Sequence, residues 1–213
     1  INPLKSILES EIDFARLRTA SPVRLYIGAT NTETGKVRTF RERELTADHL
    51  AASACLPQVF RAVIIEGTPY WDGGYTGNPP LYPLFEGLSR DLLLVQINPI
   101  RRDGVPESAM DIQHRLNEIS FNAPLLHELR AIEFVARLID TGVLDDPHYK
   151  RILMHRIAMS DFIDETASST MSTEFSYFLK LRDAGRKACQ TWLKHNFDAL
   201  GQHDTMNLRG EFA

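Results

Sequence analysis

The stretch Thr68–Pro80 has the sequence TPYWDGGYTGNPP, and its centre, Asp72-Gly73-Gly74, is the most specific local feature of the chain. A strand-like arm runs into Asp72, and the two glycines that follow permit positive φ angles and a close approach of two backbones. A carboxylate held at the rigid end of a strand is well placed to act as a general base. The alternative is an ordinary turn, because Asp-Gly is a common turn dipeptide.

The segments around this stretch alternate between strand and helix patterns, which predicts an α/β fold. The predicted elements are helices at 3–9 and 11–18, strands at 22–30 and 36–41, a helix of small residues at 47–54, a hairpin with arms 60–66 and 68–71, and a buried strand at 91–98. The second helix is expected to be capped by the Ser10–Asp13 motif, which fits the pattern of a capping box.

The pattern becomes mainly helical after Pro99, so we predict a first part at 1–98 and a second at 99–213. In the second part the periodicity predicts helices at 111–119 and from 125 to about 141, a strand at 151–158, and a last helix ending near 197. Ser172 or Thr173 is expected to cap this last helix. Phe175, Phe178, Ala188 and Trp192 would share one stripe of it, which is more typical of a core than of a lipid-binding surface.

The charge balance argues against a nucleic-acid partner. The chain carries 24 basic and 28 acidic side chains, a net charge of −4, and therefore offers no phosphate-seeking basic face. Its longest aliphatic runs span four residues, far fewer than the roughly 20 apolar residues that cross a bilayer. The two cysteines, Cys55 and Cys189, fit either a reducing compartment or two buried thiols.

The order of several motifs resembles the patatin-like phospholipases, a family of lipid acyl hydrolases. The small-residue helix with Ala52-Ser53 and Pro57, the hairpin, Asp72-Gly73-Gly74 and Asn78-Pro79 follow one another as in that family. The resemblance implies that residues 1–98 are the later half of a three-layer α/β/α core. The residues after it are similar to the helical C-terminal extension of a bacterial subgroup.

The resemblance also implies a catalytic mechanism. The family carries a Ser–Asp dyad, in which Asp72 would be the Asp, with Gly73, Gly74 and Asn78 in the active-site loop. Ser53 and Pro57 would be supporting residues. With no histidine between the partners, the carboxylate itself takes the serine proton. Because this chemistry needs only a base and oxyanion donors, we expect neither a metal nor an organic cofactor.

The sequence departs from the family at the nucleophile. Only Gly73 and Gly77 are spaced as in G-x-S-x-G, and Tyr75 stands between them. The chain begins with Ile1 rather than Met. We therefore expect it to be a fragment that is inactive alone, whose missing N-terminal half supplies the serine and the oxyanion loop. Two alternatives remain open, an inactive lipid-binding or scaffold module and an unrelated hydrolase that uses Ser53 or Cys55.

The remaining expectations concern ligands and partners. The seven histidines form neither H-E-x-x-H nor H-x-H, so no metal site is expected. The implied substrate is a lipid or a small ester. The implied location is the cytoplasm, and peripheral contact with a membrane and a homo-oligomer are both compatible with the sequence. The last helical layer could cover an acyl groove or form a dimer face.

Overall fold

The computed structural model describes residues 3–158 and 174–212. The helices are α1 (Pro3–Glu11), α2 (Phe14–Ala20), α3 (Ala47–Ser53), α4 (Ala109–Asp140), α5 (Phe175–Asn196) and α6 (Leu208–Phe212). The strands are β1 (Tyr26–Asn31), β2 (Val37–Arg41), β3 (Val63–Ile65), β4 (Thr68–Asp72), β5 (Asp91–Gln96) and β6 (Leu153–Ala158). The predicted α/β class and the helical character of the later part are confirmed.

The chain divides into two compact units. The first comprises the residues through Glu86 together with Ala123–Glu128 of α4, and the second comprises Gly87–Asn122 and the described residues from Leu129 onward. The strand β5 therefore belongs to the second unit, whereas the sequence analysis predicts it in the first part, at 1–98. The predicted division at residues 98 and 99 stays a prediction.

The first unit is built on a four-stranded sheet in the order β2-β1-β4-β3, with every neighbouring pair antiparallel. The predicted hairpin of β3 and β4 is confirmed, and it turns at Glu66 and Gly67 with φ angles of 50° and 81°. Two consecutive positive φ angles are typical of a type I′ turn, whose twist matches that of the two strands. The strand β1 begins at Tyr26, four residues later than predicted, and Val23 is exposed.

Helix α3 closes the core of the first unit. Its Ala51 and Ala52 are buried, and Ala52 joins a cluster with Ala29, Phe40, Leu45, Ile65 and Tyr70. Small side chains allow this helix to approach the sheet closely. Thr46 is the N-cap of this helix, and its backbone N–H donates to Nδ1 of the buried His49 over 3.1 Å.

The start of α2 corrects one prediction. The helix begins at Phe14 and is capped by Asp13, whose Oδ1 accepts a hydrogen bond from the Arg16 N–H. The prediction that Ser10 is the cap is wrong, because α1 continues through Ser10 and ends at Glu11. An aspartate at the N-cap satisfies a free amide of the first turn and also interacts favourably with the helix dipole.

The second unit contains a parallel pair, β5 and β6, in register from Asp91 opposite Leu153 to Gln96 opposite Ala158. The prediction of a buried strand at 91–98 holds for only one face of β5. Leu94 and Gln96 are buried, but the alternate residues Leu93 and Val95 are exposed. Among the described residues β6 is its only strand neighbour, and the exposure of Leu93 and Val95 shows that one face of this pair lacks the cover that parallel sheets usually have.

Helix α4 is continuous over 32 residues, so the two separate helices predicted at 111–119 and from 125 are one. Pro124 lies inside it, where a proline removes one backbone hydrogen bond and favours a break. The buried residues Leu125, Leu129 and Ile132 keep the helix continuous beyond that point. Its predicted end is confirmed, with Thr141 as the cap and Gly142 at a φ of 71°.

Helix α5 corrects the predicted aromatic stripe. Ala188 and Trp192 are buried, and the Trp192 ring lies 5.8 Å from the ring of His155 on β6. Phe175 and Phe178, however, are exposed. The stripe fails as a core element because Phe175 lies about 140° around the helix from Ala188. The predicted caps Ser172 and Thr173 lie outside the described residues.

Candidate active site

Asp72 ends β4, and two neighbouring segments, β1 and the segment that contains Cys55, fix its backbone. It lies opposite Ala29 of β1, its N–H donates to the Cys55 carbonyl over 2.9 Å, and its own carbonyl accepts from the Thr30 hydroxyl over 2.7 Å. The Thr30 hydroxyl also lies 2.9 Å from that of Thr76, on the far side of the loop. Asp72 is therefore held by the sheet, as its position at the end of a strand predicts.

The Asp72 carboxylate is anchored through one of its two oxygens. Oδ1 accepts a hydrogen bond of 2.6 Å from the Gly74 N–H, which makes Asp72 the cap of a 3-10 turn at Gly73–Tyr75. Among the described residues, none donates a hydrogen bond to Oδ2. One oxygen thus fixes the orientation of the side chain, and the other has lone pairs available for a proton.

The protonation of Asp72 is shifted toward the neutral form. Burial raises its pKa, and the hydrogen bond from the Gly74 N–H offsets part of this effect. Burial penalises the charged form, whereas a single amide donor compensates only in part. A carboxylate with a raised pKa binds a proton more strongly than an exposed one and so is a better general base.

Gly73 is required by the close approach of its backbone to β1. A Cβ atom at this position would lie 2.6 Å from the carbonyl carbon of Gly28, a distance that no real side chain adopts. Because the obstacle is backbone, it cannot move aside as a flexible side chain would. The first glycine after Asp72 therefore serves close packing, and the second supplies the amide that holds the carboxylate.

The rest of the loop, through Pro80, packs on β1 around a proline. A Cβ atom at Gly77 would lie 3.1 Å from Cβ of Pro80, and one at Gly28 would lie 3.4 Å from its Cδ. The peptide bond between Asn78 and Pro79 is cis. Asn78 lies half-buried in this loop, and its predicted role in orienting Asp72 stays a prediction.

A glutamate that the sequence analysis missed holds the end of this loop. Oε2 of Glu128 accepts hydrogen bonds from the N–H groups of Leu81 and Tyr82, over 2.8 and 2.9 Å. Burial raises the pKa of Glu128, and the two amide donors partly offset this. The only signal in the sequence is a carboxylate between the apolar positions Leu125 and Leu129 of one helix.

The predicted supporting residues lie on the segment that precedes the hairpin. The Ser53 hydroxyl donates to the Leu50 carbonyl over 2.9 Å, and Pro57 lies in the turn that follows α3. Cys55 is fully buried, its thiol donates to the Arg61 carbonyl over 3.2 Å, and burial raises its pKa. Through its carbonyl, Cys55 is the residue of this segment that contacts Asp72.

The second unit holds another buried polar cluster. His155 is fully buried on β6, with Nε2 3.0 Å from Oδ1 of Asp91 and Nδ1 3.0 Å from the Thr205 hydroxyl. Oδ1 of Asp91 also accepts from the Gly201 N–H over 2.7 Å. The Gly201 hydrogen bond, helped by His155, lowers the pKa of Asp91. The sequence gives no sign of this cluster, because its members are distant along the chain.

The second unit also contains a cavity of about 380 Å³, between the loop at 98–106 and the start of α4. It is lined by charged side chains of both signs, and none of the predicted site residues is among them. Its lining has two arginines and three carboxylates, and Glu118 pairs with both Arg102 and Arg115, so the cavity offers no net positive charge to an anionic ligand. Across the described residues, no three histidine, cysteine or carboxylate side chains converge as a metal site would require.

Two comparisons with known proteins bear on this site. Residues 3–85 match the family model described as patatin-like phospholipase, a segment that includes Asp72 and its loop. This confirms the resemblance drawn from the motifs. No curated protein matches the chain.

No helix in the described part of the chain combines the length and the apolar character needed to span a bilayer.

Proposed function

We propose that this chain supplies the base of a serine acyl hydrolase, with Asp72 as the aspartate of a Ser–Asp dyad. The match of residues 3–85 to the patatin-like phospholipases indicates a hydrolase of lipid esters in general terms. The observation that carries the specific proposal is the Asp72 carboxylate, which is anchored through Oδ1 while Oδ2 accepts no hydrogen bond from the described residues.

The nucleophile belongs to a segment of the protein outside these 213 residues. Within them Tyr75 occupies the place that a serine takes between paired glycines. The hydroxyl of Ser53 and the thiol of Cys55 are each engaged with a backbone carbonyl, and Ser53 sits on a regular helix rather than on a strained turn. These contacts argue against either residue as the nucleophile.

The reaction would proceed in two balanced steps. Oδ2 of Asp72 takes the serine proton while the serine oxygen attacks the ester carbonyl, and the proton then passes to the departing alcohol. This leaves an acyl-enzyme and an unprotonated Asp72. Asp72 next takes a proton from water, the resulting hydroxide attacks the acyl group, and the returned proton restores the serine as the carboxylic acid leaves.

The surroundings of Asp72 suit this role. The hydrogen bond from Gly74 fixes the carboxylate plane, so Oδ2 keeps one direction throughout both steps. The raised pKa favours proton uptake, and it also sets an acid limit, since Asp72 is protonated and useless as a base once the pH falls below that pKa.

Covalent labelling of the whole protein that contains this chain tests the proposal. A fluorophosphonate probe should label one serine within a G-x-S-x-G peptide outside residues 1–213, and Asp72→Asn should slow that labelling strongly. Asp103→Asn, the same change at an exposed carboxylate, should label at the normal rate. Labelling of Ser53, or equal labelling rates in the Asp72→Asn variant and the unchanged protein, would contradict the proposal.

A module that binds lipid without turnover is the second candidate, because the sequence contains no G-x-S-x-G. The same labelling experiment separates the two. A whole protein that binds lipid but neither reacts with the probe nor hydrolyses a phospholipid or p-nitrophenyl butyrate is the non-catalytic module.

A further inference from the structure

Helix α5 packs one face against its own unit and exposes another face, about 130° around the helix axis, to solvent. Ala188 and Trp192 form the buried face, and the contact between Trp192 and His155 fixes how the helix is rotated about its axis. The orientation of the exposed face is therefore determined by the fold.

That solvent face carries a line of apolar and basic side chains. Phe175, Arg182, Arg186 and Leu193 of α5, together with its C-cap residue Phe197, follow one another at steps of seven, four, seven and four residues. Because the backbone of Phe197 is still helical, the five residues lie along a single line. We call these five residues the α5 stripe. Phe175 is 74% exposed, Leu193 42% and Phe197 60%. Phe178 adds a further exposed ring beside the first turn.

The helix is also positively charged within an acidic protein. It contains five basic residues and one acidic residue, Asp183, a net charge of +4, whereas the whole chain has a net charge of −4. Asp183 pairs with Arg182 and Arg186 over 2.8 and 3.8 Å, but these pairs are exposed and therefore weak. For comparison, helix α4 has three basic and five acidic residues and so a net charge of −2.

We propose that the α5 stripe is a docking surface for an anionic lipid bilayer, on which the helix lies in the plane of the interface. Exposed phenylalanine and leucine side chains enter the boundary between headgroups and acyl chains, and the arginines meet the lipid phosphates. The inference goes beyond the proposed hydrolase, because this binding requires neither Asp72 nor a nucleophile.

Charge favours a lipid surface over a second copy of the chain. In a symmetric contact centred on the middle of the stripe, Arg182 and Arg186 would meet the same arginines of the other copy and repel them. An anionic bilayer instead attracts both arginines and accepts the apolar side chains at once. The five members span about 33 Å of helix, which allows simultaneous contact with a flat surface.

Vesicle flotation with the whole protein tests this inference. We expect binding to phosphatidylcholine vesicles that contain about 30% phosphatidylglycerol, little binding to pure phosphatidylcholine, and weaker binding as salt rises. Arg182→Gln with Arg186→Gln should lower the partition coefficient on the order of 25-fold, at about fivefold for each arginine. Phe175→Ser with Phe197→Ser should lower it as well, because the apolar contribution is lost.

Matched variants keep the test specific. Phe134→Ser changes a half-exposed phenylalanine on α4, and Arg101→Gln changes an exposed arginine outside the stripe, so both should bind normally. Asp72→Asn should also bind normally, which separates this inference from the proposed hydrolase. Circular dichroism confirms that each variant is folded.

Three outcomes would overturn the inference. The first is a folded protein that does not float with anionic vesicles, and the second is stripe variants that bind as tightly as the unchanged protein. The third is light scattering that shows a dimer which Phe175→Ser dissociates, because the stripe would then be an interface between copies of the chain.

Discussion

Two aspartates, Asp72 in the first unit and Asp91 in the second, have the same side chain but pKa values that are shifted in opposite directions. Each accepts a hydrogen bond from the backbone amide of a glycine, Gly74 for Asp72 and Gly201 for Asp91. Asp91 has a second donor, the imidazole of His155, and its pKa is lowered. Asp72 has no second donor among the described residues, and burial raises its pKa.

In this pair, the carboxylate with two hydrogen-bond donors has the lowered pKa, and the carboxylate with one donor has the raised pKa. Asp91 binds both the Gly201 amide and the buried His155 through Oδ1, so it holds two distant segments together as a structural clamp. Asp72 has one donor and a raised pKa, so its charged form is less stable and it takes up a proton more readily than Asp91 does. Identical substitutions at the two positions should consequently give opposite results.

The largest expected effect is on catalysis by Asp72→Asn in the whole protein. We expect kcat for ester hydrolysis to fall by on the order of 10³-fold, because the amide cannot take the serine proton. The asparagine oxygen can still accept from Gly74, so the free energy of unfolding should be unchanged or slightly increased. Steady-state kinetics and urea unfolding measure the two quantities, and an unchanged kcat would remove Asp72 from the dyad.

Gly73→Ala tests the packing that presents Asp72. The added Cβ meets the backbone of Gly28, so we expect a loss of about 2–3 kcal/mol in the free energy of unfolding. The matched control is Gly185→Ala in α5, where the new Cβ would meet nothing within 4 Å beyond the backbone of its own helix. This control should instead stabilise the protein by about 0.5–1 kcal/mol. Equal stability of the two variants would show that β1 and the loop are not in close contact.

Asp91→Asn is the structural counterpart of the Asp72 substitution. Its hydrogen bonds to Gly201 and His155 lose their charge, and we expect a loss of about 1–2 kcal/mol in the free energy of unfolding. Hydrolysis by the folded protein should continue at the normal rate. Urea unfolding and an ester assay on the same preparation measure both, and a variant that is stable but inactive would reverse the assignment of the two aspartates.

The two aspartates could be predicted from the sequence to very different degrees. Asp72, Gly73 and Gly74 are consecutive, so the strand end, the close approach and the amide donor are all local features. The clamp joins Asp91 to His155 across 64 positions, and such a pair depends on how β5 and β6 align. The sequence also predicts two helices where α4 is continuous, for a related reason. Pro124 is a helix breaker that is visible in the local sequence, whereas the burial of Leu125 and Leu129 depends on residues that are distant along the chain.

The pH dependence of stability should differ in sign between the two sites. The folded-state pKa of Asp91 is lowered, so its contribution is present above the ordinary value of 3.8 and is lost as the pH falls through the folded-state pKa. The folded-state pKa of Asp72 is raised, so its contribution is present below 3.8 and is lost as the pH rises through the folded-state pKa.

Urea unfolding between about pH 3 and pH 6 separates these contributions. As the pH rises, Asp91→Asn should become progressively less stable than the unchanged protein, whereas Asp72→Asn should become progressively more stable than it. Parallel curves for the two variants would contradict the opposite roles that their hydrogen bonds assign to them.

Glu128 sharpens the comparison, because it is a third half-buried carboxylate and has two amide donors on one oxygen. Glu128→Ala leaves the N–H groups of Leu81 and Tyr82 without their acceptor, so we expect a loss of about 1 kcal/mol in the free energy of unfolding. Glu128→Gln retains an oxygen with two lone pairs and should lose less. Faster amide hydrogen exchange at Leu81 and Tyr82 in the alanine variant alone would assign the effect to these two bonds. Equal exchange in both variants would instead mean that charge, rather than the number of donors, determines what this carboxylate contributes.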